Sequence, residues 1–373
     1  MSGTLPWVTV ALAASTVIAA ISLLSVKLAH RIILNSRGVR TARYIAAVAE
    51  MIERRYIPAP APRRWRSDPV FHDILIDYRR LVEGEDGRFV DRLVNELGIV
   101  DALIPRIRSL FSPSYRLRAV STLVELADRS AAPFLRSLLD DHNGHVRTHA
   151  AHGLARIRDL EAIPMILDLS RRVRPWEAGR LADSLLAFGP VALPAVIQWI
   201  EIEIQDSGAT SEAVSQAARV LGLIGDPAAE PVLVELLGTP NAMWRVAACS
   251  ALAKVATDSS RGPLLDALGD ASWEVRARAV RALAALADAS VAEPVSLLLM
   301  DKEWWVRQNA AESLGEIPGG LDHLLAALDW PDRFAADAAL NQLAEMGKLP
   351  PARTPALSQV PREPSFTTAG RRR

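Results

Sequence analysis

The chain has 373 residues, with 43 Lys and Arg against 43 Asp and Glu, so no global field draws in nucleic acid or acidic substrates. Half of the residues are hydrophobic but only 5% are aromatic, and Ala and Leu dominate from about residue 110 to 346. That composition favours helices over the β-branched alternation of strands. The single cysteine, Cys249, rules out an intrachain disulfide and sits in an Ala-rich helical pattern as a small core residue.

Residues 1–26 carry no charged side chain, and Trp7 to Val26 form one apolar run. Twenty helical residues at about 1.5 Å each span about 30 Å, the thickness of a bilayer's hydrocarbon core. The spacing predicts a transmembrane anchor within residues 1–29. A cleaved signal peptide is the alternative, but the leading residues contain no Lys or Arg and no small-x-small cleavage site follows the run. Positive residues lie C-terminal to the span, which predicts an external N-terminus and a cytoplasmic remainder.

Residues 30–84 read as a basic juxtamembrane connector. Between 27 and 66 there are ten Lys or Arg, against only Glu50 and Glu53, and anionic lipid contact is one role for them. A helix ending before Pro58 is expected, then a stiff Pro-rich spacer, then a second helix with Asp68 as N-cap and Pro69 at its first position.

From residue 85 to 346 the signal is an internal repeat. An Arg followed by a Leu seven residues later recurs as Arg116/Leu123, Arg147/Leu154, Arg245/Leu252, Arg276/Leu283, Arg307/Leu314 and Arg333/Leu340. Arg245, Arg276 and Arg307 are 31 residues apart, as are Arg116 and Arg147. Ala178/Leu185 and Val214/Leu221 fill the same frame without the Arg, and a 36-residue step between them absorbs a small insertion. Within a unit, Val275, Ala279, Val280 and Leu283 share one helical face. A second apolar helix follows, often with Pro near its start (Pro133, Pro164, Pro194, Pro231, Pro263, Pro294). One such hairpin cannot bury its apolar face alone, but stacked hairpins can. The fold expected is all-α: an α-solenoid of about eight stacked hairpins.

The spacing of an Asp six residues before the frame Arg, at Asp141/Arg147, Asp270/Arg276 and Asp301/Arg307, resembles HEAT repeats, in particular the short HEAT-like repeats of the phycobilisome-lyase type. The resemblance implies that these six residues are structural, forming a ladder of charge-assisted hydrogen bonds between adjacent repeats. Thr239 and Leu110 replace the Asp in two units, so an incomplete ladder is implied there.

Three features stand outside this grammar. Trp273, Trp304 and Trp330 each lie three residues before a frame Arg, with Trp244 and Trp305 beside the series. Trp is enriched at interface hot spots, so the five are candidate partner-binding residues, although rings at this place could equally pack over the inter-repeat turn. His145, His149 and His152 lie on one helical face, opposite the expected core, and could bind a transition metal or be a solvated strip. Residues 347–373 hold five Pro and an Arg triplet and read as a disordered tail.

No phosphate-binding, serine-hydrolase or zinc-protease motif is present. The paired His-Glu dipeptides of HEAT-like di-iron hydroxylases do not occur. The function expected is a membrane-anchored cytoplasmic scaffold that binds a protein, itself membrane-associated, without catalysis and without a cofactor. The alternatives are an accessory subunit of a chromophore-lyase-like enzyme and a metal-binding protein using the histidine strip.

Overall fold

The computed structural model describes residues 37–349, apart from 61, 109–112, 127–128, 206–211 and 256. The expected anchor (1–29) and nearly all of the expected tail lie outside these residues. The described residues are helical, α and 3-10, with no strand among them. They divide into two compact units, one ending at Met165 and the other beginning at Ile166.

In the first unit, α1 (residues 37–54) and α2 (Pro69–Leu81) precede the repeats. Asp68 caps α2 as the sequence predicts, accepting from the Val70 N–H at 3.0 Å. It also accepts from the Tyr44 hydroxyl at 2.9 Å, which ties α1 to the start of α2. The stretch between them is not a free spacer. Residues Arg63–Arg66 form a 3-10 turn that stacks Trp65 on Phe71 at 5.2 Å, and the Tyr44 ring meets Phe71 edge to face, also at 5.2 Å. Tyr44, Val48, Met51, Phe71 and Leu75 are buried, so the connector is part of the first unit's core. Its cations are drawn into ion pairs, among them Arg37 to Asp73, Arg40 to Asp68, Arg54 to Glu50 and Arg55 to Asp86.

Hairpins then follow: α3 (Gly84–Glu96) with α4 (Ile99–Arg108), and α5 (Pro113–Leu126) with α6 (Ala132–Ser137). In the next, α7 (Gly144–Arg156) is paired with α8 (Ala162–Ser170), and the division between the units falls within α8. The second unit continues with α9 (Pro175–Phe188) and α10 (Leu193–Gln205), α11 (Glu212–Ile224) and α12 (Glu230–Leu237), and α13 (Ala242–Val255) and α14 (Arg261–Asp266). It ends with α15 (Trp273–Ala285) and α16 (Ala292–Leu297), α17 (Trp304–Glu316) and α18 (Gly320–Ala327), and an unpaired α19 (Arg333–Glu345). The six prolines singled out in the sequence all fall in the first turn of a second helix, where a missing N–H costs no hydrogen bond.

Neighbouring first helices pack closely because small residues face each other. A Cβ on Gly222 of α11 would lie 2.7 Å from the Ala251 Cα of α13, and one on Gly153 of α7 would lie 2.8 Å from a Val124 methyl of α5. Residues Pro175–Gln205 are, among the described residues, the only helical stretch long and apolar enough to cross a bilayer. They are two helices, broken at Gly189, whose φ of 71° ends α9 before Pro190. Leu181, Leu185, Val196 and Ile200 are buried in that hairpin, as core residues are.

Candidate protein-interaction surface

The caps of the first helices fix the register of the site. Asn241, Ser272, Glu303 and Asp332 are the N-terminal flanking residues of α13, α15, α17 and α19. Counting from each, the third residue on is Trp244, Val275, Val306 or Ala335, and all four are buried. The fourth is Arg245, Arg276, Arg307 or Ala336. The last step is therefore two residues shorter than the two before it. Arg333/Leu340 is out of frame, Arg333 is exposed, and Leu343 rather than Leu340 is the buried leucine.

The frame arginines knit successive hairpins. Arg245 donates from Nε and Nη2 to both carboxylate oxygens of Asp270, at 2.7 and 2.9 Å, and from Nη1 to the Thr239 and Pro240 carbonyls, each at 2.9 Å. Arg276 does the same to Asp301, at 2.7 and 2.8 Å, and to the Asp270 carbonyl at 2.8 Å. In the first unit Arg116 pairs with Asp141 and donates to the Ile107 carbonyl at 2.5 Å. Arg147 and Arg307 donate to the Asp141 and Asp301 carbonyls at 2.6 and 2.7 Å. Each carboxylate also caps its own turn: Asp141 accepts from the Asn143 N–H, Asp270 from Ser272 and Asp301 from Glu303. Every rung thus runs from an Arg to the Asp 25 residues later, and Thr239 leaves the Arg245 rung intact because only its carbonyl is used.

Burial alone would raise the Asp270 and Asp301 pKa values. The guanidinium and backbone donors outweigh it and hold both below the ordinary carboxylate value. Asp270 and Asp301 in turn raise Arg245 and Arg276.

The same register exposes an aromatic edge. Trp273 and Trp304 are the first residues of their helices, and Met243, Glu274, Trp305 and Phe334 are the second. Trp273 is 36% exposed, Trp304 54%, Trp305 57% and Phe334 63%, and Met243 is exposed too. Trp304 and Trp305 meet edge to face at 4.6 Å, and the Arg307 guanidinium lies 4.9 Å over the Phe334 ring. Trp244 is not part of this edge. It is only 4% exposed, because it occupies the core position that Val275 and Val306 hold in the next two hairpins. Trp330 lies in the turn before α19, half-buried and out of register with Trp273 and Trp304. Met243 and Phe334 were missed in the sequence: Met243 lies two residues before its frame Arg, as Trp305 does, and Phe334 falls in that column once the last unit is aligned on its cap.

Beside the edge lies an open cleft of about 400 Å³. Trp273, Glu274 and Arg278 come from α15, and Trp305, Gln308 and Glu312 from α17. Arg281, also in the lining, reaches Glu312 at 3.5 Å. The Ser272 hydroxyl donates to Glu274 at 2.5 Å. The cleft is therefore walled by two indoles and floored by charges of both signs.

The histidine strip does not assemble a metal centre. His145 and His152 are exposed, the His149 ring bonds through Nδ1 to the His145 carbonyl at 2.7 Å, and His142 lies 3.4 Å from Asp141. Among the described residues no three His, Cys, Asp or Glu side chains are grouped to hold a metal ion. Cys249 is buried, and burial pushes its thiol pKa up to about 12.

Among curated proteins, none matches this chain. Solved structures do. Kap95p, which binds RanGDP, is 13% identical over 77% of this chain and 46% of its own, with a TM-score of 0.50. This chain thus spans less than half of that protein, and the likeness shows a shared fold. Human deoxyhypusine hydroxylase is 22% identical over 71% of this chain and 100% of its own, with a TM-score of 0.29. The CpcE–CpcF complex of phycocyanin lyase from Nostoc is 18% identical over 74% and 94%, with a TM-score of 0.28. The family model for HEAT repeats matches residues 100–185, 206–270 and 262–344, more than half of the chain. With the rungs, the stacked hairpins and this match in hand, the chain belongs to the HEAT-repeat family.

Proposed function

We propose that this protein is a membrane-tethered scaffold whose HEAT repeats dock a protein partner along the edge formed by Trp273, Trp304, Trp305 and Phe334. The observation that carries the reading is the exposure of four large rings at the starts of three successive first helices. Large rings clustered beside polar groups are what protein interfaces use as anchors. The reading is of a binding protein, not a catalyst. Kap95p, of like fold, itself binds a protein, RanGDP.

The tether is supported by the uncharged apolar run from Trp7 to Val26 and by the basic residues after it. On this reading the repeats face the cytoplasm and the partner is a membrane protein or membrane enzyme, met at high local concentration.

The test is capture of partners by the full-length chain from detergent-solubilised membranes, alongside a Trp304→Ala/Trp305→Ala variant. The double substitution should weaken capture of a defined partner by about 2 kcal/mol or more, roughly 30-fold. Equal capture by a variant with unchanged helical circular dichroism would remove the edge from the interface.

A further inference from the structure

We propose that the cleft between Trp273 and Trp305 seats a proline-rich peptide in the polyproline II conformation, and that its occupant is this chain's own segment Val360–Phe366. The proposal rests on the same aromatic edge as the scaffold reading but needs no second protein.

Three observations meet here. The first is shape. Trp273 and Trp305 stand on adjacent first helices, whose axes are about 8–10 Å apart when packed. A polyproline II helix has three residues per turn and rises about 3.1 Å per residue, so prolines at i and i+3 share a face about 9 Å apart. Pro361 and Pro364 have that spacing. Each can lie on one indole, the way aromatic-lined grooves take PxxP peptides.

The second is charge. The cleft carries Glu274 and Glu312 together with Arg278 and Arg281. Between the two prolines the segment carries Arg362 followed by Glu363, one charge of each sign. Arg281 and Glu312 already pair with each other at 3.5 Å, so the charges offered to a peptide are Glu274 and Arg278, one of each sign, which Arg362 and Glu363 match. Gln308 donates to Glu312 at 3.1 Å and Asn309 to the Trp305 carbonyl at 2.7 Å, and each amide keeps a second N–H for the peptide carbonyls, which a polyproline II helix leaves open.

The third is reach. α19 packs beside α17 in parallel: Arg307 covers Phe334 at their starts, and Gly315 faces Gln342 and Met346 at their ends. The chain therefore leaves α19 one helix away from the cleft and at the far end of it. A 13-residue helix is about 20 Å long, and crossing to the groove between α15 and α17 adds about 15 Å. The twelve steps from Leu349 to Pro361 extend to about 37 Å even in polyproline II geometry, enough for the return.

The test uses the full-length chain with Ser365→Cys carrying an oxazine dye, whose emission is quenched by van der Waals contact with tryptophan. Cys249 is buried and stays unlabelled. The dye should be dim in the parent and several-fold brighter in Trp273→Ala/Trp305→Ala and in Pro361→Ala/Pro364→Ala. The second variant leaves every described helix untouched, so its brightening cannot come from unfolding. A synthetic peptide of residues 357–368 should also brighten the parent by competition. Equal brightness in parent and variants overturns the proposal. So does quenching that fades on dilution, since the segment would then come from a second copy. If Trp304→Ala/Trp305→Ala abolishes partner capture while the dye is bright in every form, the self-docking fails and the scaffold reading stands; a dye that responds while capture is unaffected gives the reverse.

Discussion

Asp301 has a short side chain with two partners and little contact with water. It accepts both arms of Arg276 from the preceding hairpin and caps the turn at Glu303. Replacing it with Ala strands the Arg276 guanidinium, though the Asp270 and Ala271 carbonyls remain as acceptors. We expect a loss of about 3 kcal/mol, the lower end of what breaking a buried pair costs, read as a shifted urea midpoint. The pair also sets a pH dependence. Asp270 and Asp301 titrate below the unfolded value near 3.8, so their contribution is fully present above about pH 4 and is lost as pH falls through the depressed values. Glu230, held low against its burial by the Thr257 N–H and hydroxyl, adds in the same direction. Thermal melts from pH 6 to pH 3 should show a steep acid loss, shallower in Asp301→Asn; equal slopes would contradict this. Cys249 should resist iodoacetamide at pH 8 until denaturant is added, because burial keeps its thiol protonated.

Between successive first helices, Gly222 stands closest to the next helix at Ala251, among the described glycines. Gly222→Ala places a methyl against backbone, which cannot swing aside, and should cost about 1–3 kcal/mol. Adding Ala251→Gly should recover only part of it, since the backbone carbon at position 251 stays in the way; full recovery would place the clash in the side chain alone. At this scale much of the fold was legible. The 31-residue step, the apolar face of each first helix and the prolines opening six of the second helices follow from helical periodicity and the missing proline N–H. The edge was legible only in part. Alignment on Arg already sets Trp244 in the column of the apolar Val275 and Val306, but it hid that the last unit is shortened, because a surface Arg at 333 mimics the frame residue Ala336 replaces. The caps at Asn241 and Asp332 carried the correct register. The burial of the connector was not legible either. Its proline and arginine content reads as a solvated spacer, whereas the burial of Tyr44, Val48 and Met51 and the stacking of Trp65 on Phe71 show otherwise.

For the whole molecule, hairpins couple mainly to their neighbours, so damage should stay local. In Asp301→Ala, hydrogen exchange should speed up in α15 to α19 and stay slow in α2 to α4; uniform acceleration would mean one cooperative body. Tethering predicts that the full-length chain stays with membranes through alkaline carbonate extraction and is released when residues 1–29 are deleted. Recovery of the intact chain in the supernatant would remove the tether.

The fixed interval between each rung's donor and acceptor constrains how such a chain can grow. A hairpin bounded by Arg245 and Asp270, or by Arg276 and Asp301, cannot gain or lose a residue without pulling the two ends of its clasp apart. The one lengthened step in the array, from Ala178 to Val214, falls where neither frame position is an arginine. Extra sequence is thus confined to the unclasped hairpin, and an epitope inserted after Gln205 should be borne far better than the same epitope placed at Thr257.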